Sequence, residues 1–155
     1  MSKVMLKRPL DLQIYTIAQD RIHAINPRIQ IIVSVDPVAP REMSCQVHAR
    51  KPDTQTQNLN MENVAVIYIQ MHGGAQNCDG FTVTLAHEFG HAVDFENHIH
   101  PENFTEEEFE QKAWSNAKEL LAAAGGEHLL DLCEFMKEDS LKTYVKEASC
   151  LKPAT

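Results

Sequence analysis

His87 and His91 stand four residues apart, with Glu88 beside the first, in the run Thr84-Leu85-Ala86-His87-Glu88-Phe89-Gly90-His91-Ala92-Val93. On an α-helix, residues four apart project from one face, about 40° apart around the axis. Two imidazoles placed this way can grip one metal ion. Glu88 is rotated about 100° from His87, so it can reach a water at that ion without being a ligand. This is the His-Glu-x-x-His arrangement of zinc hydrolysis, with the glutamate as base. Three fixed residues arise by chance about once in 8,000 windows, so context must carry the inference. Leu85, Phe89, Ala92 and Val93 would bury much of this helix, and no proline lies between positions 81 and 100.

A hydrolytic zinc site usually has three protein ligands and keeps its fourth position for water. The best third candidate is Glu110. Ala113 and Ala117 follow it one and two turns on along the same face, and small residues there allow a close approach to the motif helix. Glu106 shares that stripe but sits at a helix start, where acids also favour the helix dipole. Glu107, Glu108 and Glu119 read as solvated. Three rivals stay open. Asp94, three residues after His91, could be a ligand but reads better as an acceptor for a ligand histidine's other N–H. His98 and His100 follow the motif helix closely. A metzincin pattern would need glycine at position 94 and histidine at 97, where this chain has Asp94 and Asn97.

Thr84 to Val93 resembles the extended zincin consensus at every position. Further on, Glu110, Ala113, Ala117, Leu120 and Leu121 look like the third-ligand helix of small gluzincins of the ImmA/IrrE type. The chain departs from that pattern with Trp114 where asparagine is usual and Asn116 where phenylalanine is usual. The resemblance spans roughly residues 62 to 122. It implies a zincin-like α+β fold: a small mixed or antiparallel sheet, then the metal helix, a ligand-bearing helix and C-terminal helices. It also implies Zn2+ on His87, His91 and Glu110, with Glu88 catalytic in peptide-bond hydrolysis. The sharpest implied function is regulatory cleavage of a specific intracellular protein.

These residues must be positioned by surrounding elements. Residues 9 to 24 read as a helix with Pro9 in its first turn and Leu10, Ile14, Ile17 and Ala18 on one stripe, ended by Asn26-Pro27. Arg28 to Asp36 is β-branched and bounded by prolines, which predicts a strand, with Met43 to Ala49 as its antiparallel partner. Lys51 to Met61 is polar and reads as a surface loop. Asn63 to Met71 is the clearest strand, and two readings of its edge stay open: pairing with an extended peptide over the metal, or cover by the chain's own loops. His72 to Gly80 is turn-rich. The motif helix is expected from Phe81 or Thr82 to about Glu96. Thr105 with Glu108 forms a capping box for a long helix to about Ala124, stopped by Gly125-Gly126. Two short helices are expected at Glu127 to Glu138 and Leu141 to Cys150.

The 155 residues suggest one domain. The formal net charge is −8, which argues against non-specific nucleic-acid binding. No apolar run approaches the roughly 20 residues of a membrane span, and the N-terminus lacks a secretory apolar core. Cys45, Cys78, Cys133 and Cys150 are widely spaced with no CxxC pair, and read as reduced thiols of a cytoplasmic protein. A peptide or protein substrate is expected, with no nucleic-acid or membrane partner. An oxyanion-stabilising donor is sought among His72, Tyr68, His128 and Tyr144, with no basis for choosing one. The competing readings are a non-catalytic zincin-like binding module, against which Glu88 speaks, and a toxin or effector protease.

Overall fold

In a computed structural model of the chain, residues 6–36, 44–49, 61, 64–72, 78–99 and 101–151 are described. The fold is α+β, with a three-stranded mixed sheet and five α-helices among the described residues. Helix α1 runs Pro9–Ile25, opened by the proline expected at a first turn. Its buried stripe is Asp11, Ile14, Ala18 and Ile22, at helical spacing. Strands β1 (Gln30–Asp36), β2 (Ser44–Ala49) and β3 (Val64–His72) follow. Next come α2 (Asp79–Val93), the short α3 (Phe95–His98), α4 (Glu106–Ala123) and α5 (Leu130–Leu151).

The sheet differs from expectation. β3 is the central strand, parallel to β1 and antiparallel to β2. The partner of β2 is therefore β3, not β1, and β3 has no free edge to offer a peptide. The β1–β3 register sets Ile31 against Ile67, Val33 against Ile69 and Val35 against Met71. All six are buried, so one face of the sheet is continuous apolar surface. Burying a side chain of this size contributes about 1.5–3 kcal/mol.

That core wraps α2. Every residue from Phe81 to Ala92 except Thr84 is buried, so α2 has almost no solvent face. It packs against α1, α4, β2 and β3. The approach of α4 is the closest. A methyl group on Gly90 would overlap the Ala113 carbonyl oxygen, and Ala113 and Ala117 are fully buried in the seam. Asn116 Nδ2 donates to the Gly90 carbonyl at 2.9 Å across it. The small-residue stripe read after Glu110 thus does bring the two helices together.

The capping box of α4 is formed as expected, with Glu108 N–H donating to Thr105 Oγ1 at 3.1 Å and Thr105 N–H to Glu108 Oε1 at 2.9 Å. Gly125, at φ 86°, ends the connection from α4 in the left-handed region that favours glycine. Beyond it, a 3-10 turn at Glu127–Leu129 leads into one continuous α5, not two short helices. The intervening Asp139 and Ser140 are poor helix formers, yet neither removes a backbone donor as proline would. The motif helix also ends earlier than expected, at Val93, and Asp94 turns the chain into α3. The polar stretch 51–60, the connection 73–77 and His100 lie outside the described residues.

Cys45, Cys78 and Cys133 are free thiols. No helix among the described residues is long and apolar enough to cross a membrane.

Candidate metal centre

The helical spacing of His87 and His91 puts their rings 4.8 Å apart, centroid to centroid. Both are largely buried, at 9% and 8% exposure, as is Glu88 at 5%. His87, Glu88 and His91 each bring one ligand-capable atom within 4.8 Å of the others. From the facing helix α4, the Glu110 carboxylate bridges the two imidazoles. One oxygen lies 2.7 Å from His87 Nε2 and the other 3.0 Å from His91 Nε2.

This donor set fits a zinc ion. Around tetrahedral zinc, bonds of about 2.0–2.2 Å hold ligand atoms roughly 3.3 Å apart. The two Glu110 contacts, at 2.7 and 3.0 Å, are shorter than that spacing by about 0.6 and 0.3 Å, so the side chains would have to part slightly to admit an ion. Two imidazole nitrogens and one carboxylate, with a further carboxylate beside them, also match zinc's preferred ligands.

Electrostatics bind the cluster together. Burial pulls His87 down, but hydrogen bonds to Glu110 and Glu88 and the charges of both outweigh it, raising the imidazole to about 9. Burial pushes Glu110 up, but hydrogen bonds to His87 and His91 and their positive charges outweigh it, holding the carboxyl at about 2. Both effects express one mutual attraction: the carboxylates favour a charged imidazole, and the imidazoles favour the charged Glu110.

Glu88 Oε1 lies 3.3 Å from His87 Nδ1. Its other oxygen, Oε2, is buried with no hydrogen-bond partner. A buried, unpartnered carboxylate oxygen is costly and needs an explanation. That oxygen is an acceptor left open beside the two imidazoles.

Three features surround this cluster that spacing alone did not assign. His98 Nε2 lies 3.3 Å from His91 Nδ1, and the His98 ring stacks on Phe109 at 4.6 Å. His98 therefore partners His91, the role expected of Asp94. Asp94 turns elsewhere: its Oδ1 accepts from Asn97 Nδ2 at 2.6 Å and pairs with Lys112 Nζ at 3.2 Å. Trp114, noted in the sequence only as a departure from a pattern, lies flat on His87 at 4.1 Å and 19°. A cavity of about 330 Å³ opens beside Glu88 and His87, walled by Trp114 and by one face of α5. The sequence held a signal for Trp114: it is the chain's one tryptophan, one turn on from Glu110. The face of α5 gave none. Of the oxyanion candidates, Tyr68 is half-buried and His128 exposed, and neither lines that cavity.

No protein-family model matches the chain, and no curated protein or solved structure matches it.

Proposed function

We propose that this chain is a zinc metallopeptidase. His87, His91 and Glu110 would hold the ion, and Glu88 acts as general base. The observation that carries this reading is the Glu110 carboxylate, brought from a separate helix to both His-Glu-x-x-His imidazoles at 2.7 and 3.0 Å. A structural site would need no base, yet Glu88 is buried with one oxygen unpaired, and its side chain is among those lining a cavity.

When bound, zinc supplies Lewis acidity toward water and toward the scissile carbonyl. The rest belongs to the chain's own residues. Glu88 takes a proton from the attacking water and returns it to the leaving amine. His98 holds the His91 ring from behind, and Trp114 fixes the plane of His87 by stacking. The peptide would be held along the outer edge of β2, the terminal strand of the sheet among the described residues, which packs on α2.

Glu88→Gln tests the reading, because the amide keeps the shape and cannot accept the proton. Zinc content should stay at one per chain while hydrolysis of a peptide mixture falls by at least about 100-fold. Undiminished hydrolysis would remove Glu88 as the base; absence of zinc from the unaltered protein would remove the metal reading itself.

A further inference from the structure

Four residues of α5 line the cavity beside Glu88: Phe135, Met136, Asp139 and Ser140. They occupy successive turns of one helical face, with Phe135 below Asp139 and Met136 below Ser140. Phe135 is 67% exposed, an unusual position for a phenylalanine with a core close by. Trp114 forms the opposite wall and is itself 96% buried, at 4% exposure. At about 330 Å³ the space is at the lower end of ligand-pocket volumes, roughly 300–1,000 Å³. It can take one long side chain with its adjoining peptide unit.

The chemistry of the walls is mixed in a particular way. Two aromatic rings and a thioether line the sides, while Glu88 and Asp139 are the charged groups besides His87, and no lysine or arginine lines it among the described residues. Asp139 is exposed and has no ion-pair partner among the described residues. The chain as a whole carries a net charge of −8. A neutral apolar side chain would use the rings and leave the carboxylate idle. An acidic one would be repelled. A long basic side chain uses every wall: its stem lies along Met136 and Phe135, its cation meets an aromatic face, and its head reaches Asp139. Arginine suits this better than lysine, because a planar guanidinium stacks on aromatic rings and is less strongly hydrated.

We infer that this cavity selects a basic residue, arginine before lysine, next to the bond to be cut. The inference rests on the peptidase reading for which bond is broken, though not for what the cavity binds.

Binding can be measured without turnover. Full-length Glu88→Gln protein, loaded with zinc, is titrated with acetyl-Ala-X-amide, where X is Arg, Lys, Leu, Phe, Ala or Glu. Trp114, the chain's one tryptophan and a wall of the cavity, reports occupancy by fluorescence. The arginine compound should bind about tenfold more tightly than the leucine one, an advantage that shrinks in high salt. Asp139→Asn should bring arginine and leucine level, and Asp139→Lys should shift preference toward glutamate. Asp139 lies on the surface, so unchanged thermal unfolding will show that both variants fold.

Leucine or phenylalanine binding as tightly as arginine would overturn the inference. So would an arginine preference that survives Asp139→Asn, or no binding by any compound. The peptidase reading fails separately. If the arginine compound binds as expected but the unaltered zinc-loaded protein cuts no arginine-containing peptide, the pocket stands and the peptidase does not.

Discussion

Two carboxylates reach α2 from neighbouring helices, and their surroundings treat them in opposite ways. Glu110, from α4, meets two imidazoles and is held at about 2 despite the cost of burial. Asp11, from α1, is fully buried, and burial raises its carboxyl more than its partners lower it. Those partners are a 2.6 Å hydrogen bond from Thr82 Oγ1 and the charge of Arg8, whose guanidinium also donates to Thr82 and Asp79 at 2.9 and 2.8 Å. The second oxygen of Asp11 has no partner. One site therefore holds a carboxylate charged by pairing it with imidazoles. The other ties α1 to the start of α2 and tolerates a carboxylate there. Burial raises both carboxyls, Asp11 fully buried and Glu110 partly so, and it is the partners that set the opposite directions of the two shifts.

The largest test of that contrast is Glu110→Gln. The side chain keeps its shape and loses its charge, so zinc affinity should fall more than about 100-fold, read by competition with a chelator. Zinc still bound one per chain at unchanged affinity would show that Glu110 is not a ligand. Next comes the helix seam that delivers Glu110. Gly90→Ala forces a methyl group against the Ala113 backbone, which side-chain rotation cannot relieve. A loss of about 1–3 kcal/mol is expected, with the melting temperature down about 2–4 °C for each kcal/mol. An unchanged melting temperature would mean that α2 and α4 do not meet this closely.

His98→Phe is the finer test. The aromatic ring can still stack on Phe109, but the nitrogen facing His91 is lost. Zinc affinity should fall about tenfold with little change in stability of the metal-free protein. Undiminished affinity would show that His91 needs no partner behind it.

What could be read in the sequence follows from range. The spacing of His87, Glu88 and His91 is set within one helical turn, so it was legible. That Glu110 faces the two imidazoles was legible through Ala113 and Ala117, because a close helix seam demands small residues at fixed intervals. The capping box at Thr105 was local in the same sense. The centre of the sheet was not legible: Val64 to Met71 looks the same whether one or both edges are paired, and pairing is settled by strands far away in sequence. The partner of His91 was missed because the chain turns at Asp94, carrying His98 back toward the ring while Asp94 pairs with Lys112. Phe135 and Asp139 gave no signal, since their meaning depends on where α5 packs.

The smallest effect separates the two carboxylates by pH in the metal-free protein. Glu110, held at about 2 against an ordinary 4.5, stabilises the fold fully above pH 4.5 and loses that contribution as pH falls through about 2. His87, raised from 6.5 to about 9, contributes fully below pH 6.5 and loses its share as pH rises through about 9. Their joint support is therefore greatest between about pH 4.5 and 6.5. Asp11 runs the other way: its folded-state value is raised above 3.8, so stability falls as pH rises from 3.8 through that raised value. Asp11→Asn keeps an acceptor for Thr82 and removes the charge. It should flatten only the Asp11 part of the pH–stability curve and shift the melting temperature by no more than about 2–4 °C at neutral pH. A curve that keeps its slope just above pH 3.8 would show that Asp11 is not the group responsible. A variant that also lost the support between pH 4.5 and 6.5 would show that the two carboxylates are coupled through α2.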